Sequence, residues 1–119
     1  MRLLPLLLAT GLAAAAVAGQ AAAHARLVKS DPKAGSVVAA PKALKLWFSE
    51  TIVPAQSKVA VSGPSGAVAT GKLAVDPKNP RLVSVPVTAA LAPGAYKVDW
   101  TMKTEDTHVM DGTFGFKVR

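Results

Sequence analysis

The sequence predicts an all-β domain, a small antiparallel Greek-key barrel or sandwich of the immunoglobulin-like kind with about seven strands, and three observations carry that expectation. Valine-rich segments alternate in polarity with a period of two, proline and glycine clusters separate them at short intervals, and no long segment carries a helical period.

The first stretch stands apart from this pattern. Arg2 precedes an apolar run from Leu3 to Val17, and small residues follow as far as Ala23. That is the layout of a secretory signal peptide: a positive start, a hydrophobic middle and a small-x-small cleavage site. Ala21 and Ala23 occupy the minus-three and minus-one positions for a cut before His24, and a cut after Ala18 is the alternative. The run is shorter than the roughly 20 residues needed to cross the hydrocarbon core, which argues against a permanent anchor. The expected division is therefore a cleaved leader at 1–23 and an exported β domain at 24–119.

Within that domain the first strand is placed around Arg26–Lys29. "ALKLWF" at 43–48 sets Leu44, Leu46 and Phe48 against Lys45 and Trp47, and "KVAVS" at 58–62 puts Val59 and Val61 on one face. "SGPSG" at 62–66 is a turn, followed by "AVATGKLAV" at 67–75 with an interruption at Gly71. After a turn in "DPKNP" at 76–80 comes "RLVSVPV" at 81–87, where Pro86 cannot donate to a ladder and marks an edge or a bulge. Pro93-Gly94 turns the chain into a strand with Tyr96, Val98, Trp100 and Met102 on one face. The C-terminal "TFGFKVR" aligns Phe114, Phe116 and Val118. The aromatic residues are expected in the core, because they fall on the inward register.

Charge and composition exclude several classes of function. The chain has 14 basic and 7 acidic side chains, and loss of Arg2 with the leader leaves 13 against 7. The lysines are scattered singly with no aromatic stacking platform, so nucleic acid is not an expected partner. There is no cysteine, hence no disulfide and no thiol nucleophile. A Gly-x-Ser-x-Gly elbow, a Walker loop and a dinucleotide-binding glycine pattern are also absent from the sequence.

What remains is His24, His108 and the acids of "TEDTHVMDG" at 104–112, which joins the last two strands at one end of the fold. Asp106 and His108 are two apart, and in an extended segment such residues face the same side. Alone, that pair is a weak signal and reads first as an ordinary hydrogen-bonded carboxylate and imidazole. A cut before His24 adds a free α-amine next to an imidazole, able to close a chelate ring on one metal ion. An amine, two imidazoles and a carboxylate suit tetragonal Cu(II), though zinc also accepts imidazole and carboxylate. Missing cysteine and scarce methionine argue against a cuprous site. Met102 continues the inward register and reads as core, while Met110 fits either core or ligand.

Residues 24–119 resemble the CopC family of exported copper carriers. The resemblance rests on "HARLVKSDPKAGS" after the leader, "LWFSE" at 46–50, "APGAYKVDW" at 92–100 and "EDTHVMDGTFGFKV" at 105–118. It implies a seven-stranded β-sandwich binding one Cu(II) per chain in the periplasm, with His24, Asp106 and His108 as ligands. It further implies that Glu50 lies just outside the metal and orients the N-terminal ligand, and that the protein is a monomer and not an enzyme. A CopD-type inner-membrane copper transport protein is the implied partner. The methionine-rich cuprous loop of some members is missing, so the chain is similar to the Cu(II)-only type. Two other readings share features with it: a histidine-brace copper oxidase acting on polysaccharide, and a metal-free immunoglobulin-like interaction module.

Overall fold

The computed structural model describes residues 26–119. Nine strands form two sheets: β1 (Leu27–Asp31), β2 (Val37–Val38), β3 (Ala43–Phe48), β4 (Lys58–Gly63), β5 (Gly66–Val68), β6 (Ala74–Asp76), β7 (Asn79–Pro86), β8 (Gly94–Lys103) and β9 (Val109–Val118). The four-stranded sheet has the order β1-β3-β7-β6 and the five-stranded sheet β2-β9-β8-β4-β5. All pairings are antiparallel except the short β2 against the end of β9. This is the all-β sandwich that the alternation predicts.

Period-two patterning decides what is buried. Leu44, Leu46 and Phe48 of β3 with Val83 and Val85 of β7 face Val98, Trp100 and Met102 of β8 and Phe116 and Val118 of β9. Phe48 meets Trp100 edge-on across the two sheets, with centroids 5.1 Å apart and planes at 69°, a geometry that suits the ring quadrupoles. Tyr96 stacks on Phe116, and its hydroxyl donates to the Ala92 carbonyl at 2.6 Å, giving the polar end of a buried ring its partner. Trp47 corrects the expectation that every aromatic is core. It stands on the outer face of β3, half-buried, with the Lys29 ammonium 4.5 Å from its ring centroid. A cation over the ring and the lysine stem cover an indole that the register directs outward.

Three further expectations change. The 67–75 segment is not one interrupted strand: β5 lies in the five-stranded sheet and β6 in the four-stranded one, so the chain crosses between sheets there. Gly71 makes the crossing, its N–H donating to the Pro86 carbonyl at 2.8 Å; a Cβ on it would sit 3.1 Å from the Pro86 ring. Pro86 marks neither an edge strand nor a bulge. β7 is interior, and Pro86 ends it beyond the reach of β6, where its missing N–H breaks no pair between those strands. Finally, β9 begins at Val109, so Met110 lies on a strand, opposite the fully buried Met102.

Candidate metal centre

One end of the sandwich gathers the start of β1, the exit of β3, the exit of β8 and the start of β9. Arg26 is fastened to β3 twice: the Ser49 N–H donates to the Arg26 carbonyl at 3.0 Å, and the Arg26 N–H to Ser49 Oγ at 2.9 Å. Two residues on, the Thr51 carbonyl accepts from the Glu105 N–H at 3.2 Å, and Ile52 bridges to Thr104. Segment 49–52 therefore joins the first described residue to the loop between β8 and β9.

That loop is a tight hairpin. The Thr104 N–H donates to the His108 carbonyl at 2.9 Å and the Thr107 N–H to the Thr104 carbonyl at 3.0 Å. Thr107 has φ of +73°, the left-handed region that closes a three-residue hairpin loop. Asp106 and His108 thus meet through a turn, not through the extended i, i+2 geometry that the sequence suggests. The cause is local: three residues between the closing pair leave no length for an extended path. A β-branched residue held there is strained by about 1–3 kcal/mol, while glycine returns about 0.5–1 kcal/mol as unfolded-chain freedom. Thr107→Gly is accordingly expected to stabilise the protein by about 1 kcal/mol, a melting-temperature rise of roughly 4–8 °C by calorimetry. An unchanged or lower midpoint would show that the loop bears no such strain.

The turn sets Asp106 Oδ2 3.1 Å from His108 Nδ1, with the two side chains 48% and 60% exposed respectively. Asp106 Oδ1 accepts the hydroxyl of Thr104, and the His108 N–H lies 3.4 Å from the same oxygen. The Thr104 hydrogen bond, aided by the His108 contacts, holds the Asp106 carboxyl below its ordinary value against a smaller opposing effect of desolvation. A depressed carboxyl contributes stability that is present above about pH 4 and lost as the pH falls through its lowered folded value. Asp106 therefore stays anionic somewhat further into acid than an ordinary aspartate.

Thr104 is the residue that sequence reasoning missed. It is 1% exposed and is the buried polar side chain among the described residues. The signal was available: positions 96, 98, 100 and 102 are inward, so 104 continues that register with a hydroxyl that must find a partner.

Glu50 follows β3 half-buried, between the Ser49 contact to Arg26 and the Thr51 contact to Glu105, and makes no ion pair among the described residues. His24 lies outside the described residues. Among those described, no group of three histidine, cysteine, aspartate or glutamate side chains is placed to hold a metal. The hairpin thus brings one nitrogen and one oxygen donor together, both accessible.

Comparison with known proteins agrees with this architecture. The CopC domain model matches residues 27–119. Copper resistance protein C of Pseudomonas syringae pv. tomato is 36% identical over 109 residues, covering 87% of this chain and 86% of that protein. Copper resistance protein C of Escherichia coli is 34% identical, with 87% of each chain covered. The solved structure of PcoC, a methionine-rich copper resistance protein from Escherichia coli, superposes with a TM-score of 0.73 at 32% identity, covering 82% of this chain and all of that one. CopC from Methylosinus trichosporium OB3b gives a TM-score of 0.73 at 31% identity, over 80% of this chain and 93% of that one. Matched by the domain model over the whole of the sandwich and by full-length relatives in sequence and in structure, the chain belongs to the CopC family.

Proposed function

We propose that this protein is a periplasmic carrier of one Cu(II), held by the amine and imidazole of His24 together with Asp106 and His108, and that it serves copper storage, delivery or resistance. The observation that carries the reading is the Asp106–His108 pair, held at 3.1 Å on a hydrogen-bonded hairpin and tied through residues 49–52 to Arg26. Two residues of chain span at most about 7 Å, so a protein beginning at His24 would keep its terminus that close to Arg26, whose anchor on Ser49 adjoins Glu50. The chain contains two histidines, and the pair on the hairpin needs donors from elsewhere to complete a site.

Donor chemistry favours the oxidised ion. Three nitrogens and a carboxylate are borderline-to-hard ligands and suit Cu(II), whereas Cu(I) prefers sulfur. Of three methionines, Met1 falls in the leader and Met102 is fully buried. This chain therefore differs from its methionine-rich relative PcoC, and the relatives' description as copper resistance proteins supports the cargo. Glu50, beside Arg26's anchor, is suited to accept a hydrogen bond from the N-terminal residue and orient it. A CopD-type inner-membrane protein is the partner to which a monomeric carrier of this family would pass the ion. The role proposed is carriage of the ion rather than chemistry on it.

Titrating the mature protein with Cu(II) tests this directly. We expect a visible ligand-field band saturating at one equivalent, with a rise in melting temperature set by the excess of free copper over its dissociation constant. Affinity should fall on acidification, because protons compete for the nitrogen donors. Absence of both band and thermal shift would leave an interaction module as the better reading.

A further inference from the structure

We propose that Thr104 is a positioning residue that engages one oxygen of Asp106, so that the carboxylate meets the metal through Oδ2 alone. The proposal rests on the copper-site reading above and adds a device to it.

Thr104 cannot easily do anything else. Its backbone is fixed on every side: its N–H donates to the His108 carbonyl, its carbonyl accepts from the Thr107 N–H, and it bridges to Ile52. Its β-branched side chain has few rotamers, and at 1% exposure no bulk water competes for the hydroxyl. A hydroxyl carries one hydrogen. The acceptors within reach are Asp106 Oδ1 and, at 3.2 Å, the His108 carbonyl, which already receives the Thr104 N–H. A charge-assisted bond to carboxylate is the stronger of the two, so the hydrogen goes to Oδ1.

The two oxygens of Asp106 thereby become inequivalent. Oδ1 faces inward, engaged by the Thr104 hydroxyl and approached by the His108 N–H; Oδ2 faces the His108 ring. A carboxylate pinned in this way cannot turn to present its two oxygens equally to one ion without disturbing a partly buried hydrogen bond. One oxygen beside three nitrogens makes a four-donor set, which suits tetragonal Cu(II); a second oxygen would crowd it.

The test compares Thr104→Val with Thr104→Ser in the mature protein, reading Cu(II) affinity by competition with a chelator and donor geometry by electron paramagnetic resonance. Thr104→Val removes the hydrogen at nearly constant shape, and Thr104→Ser keeps it. We expect T104V to bind Cu(II) roughly 10- to 100-fold more weakly, the usual range for losing a group that orients a ligand, with altered parallel g and copper hyperfine values. T104S should restore both to near wild type. Placed on an Asp106→Asn background, T104V should have no further effect. Thr104→Ala replaces T104V should the latter lack the wild-type near-ultraviolet dichroism of the metal-free protein. Wild-type affinity and spectrum in the folded variant lacking the hydroxyl would overturn the proposal and leave the copper reading intact. An equal loss in T104S would also overturn it, by showing that shape and not the hydroxyl matters. A wild-type protein that gives no Cu(II) signal would remove the copper reading itself.

Discussion

Adding a single alanine ahead of His24 is expected to weaken Cu(II) binding by at least about a hundredfold, with every residue of the sandwich left in place. Loss of a group that merely orients a ligand costs about 10–100-fold in metal affinity, and this change removes a ligand outright. The added residue turns the α-amine into a peptide nitrogen, which has no basic lone pair at neutral pH, and it breaks the chelate ring that amine and imidazole close together. His24 keeps its ring, so a site built on side chains alone would survive unchanged. Mass spectrometry must first establish that the exported protein begins at His24; competition titration of the two forms then gives the ratio. Equal affinities would exclude the amine from the site.

The second large effect is on stability. In Gly112→Ala the new Cβ would sit 2.3 Å from Trp100 Cζ2 and 2.7 Å from Cε2, far inside contact distance. Gly112 lies directly opposite Trp100 in the β8–β9 ladder, and the indole covers the bare glycine. Trp100 cannot retreat, because Phe48 packs against it edge-on from the opposing sheet. Overpacking of this kind costs about 1–3 kcal/mol, and a domain of this size loses roughly 4–8 °C per kcal/mol. We therefore expect G112A to melt well below wild type with a shifted tryptophan emission. A variant with wild-type midpoint and emission would mean that the sheets part easily at this point.

Much of the sandwich was legible because one face of each long strand is buried. Alternation along 43–48 and 96–102 leads straight to β3 and β8, and the turn residues of 62–66 and 76–80 fall where the hairpins do. The same logic failed where pattern and partner separate. Alternation says that Trp47 and Phe48 face opposite ways but not which aromatic a lysine will cover. At 67–75 the residues suit a strand throughout, and only the crossing at Gly71 shows that they serve two sheets. For the candidate site, chemistry singles out Asp106 and His108 in the sequence, but the extended geometry expected of them gives way to a turn. A left-handed threonine is hard to foresee, since side chains with branched Cβ seldom adopt that conformation. Thr104 escaped notice because a threonine at a strand end attracts none until its burial is known.

The hydrogen bonds that link residues 49–52 to Arg26 and to Glu105 have a mechanical consequence. His24 leads into the four-stranded sheet, whereas Asp106 and His108 hang from a hairpin of the five-stranded one. An ion gripped from both sides would add a further tie between the two layers at this end, in a chain that has no cysteine to supply a disulfide. Cargo and cohesion would then be the same bond, and surrendering the ion would let that end of the protein breathe.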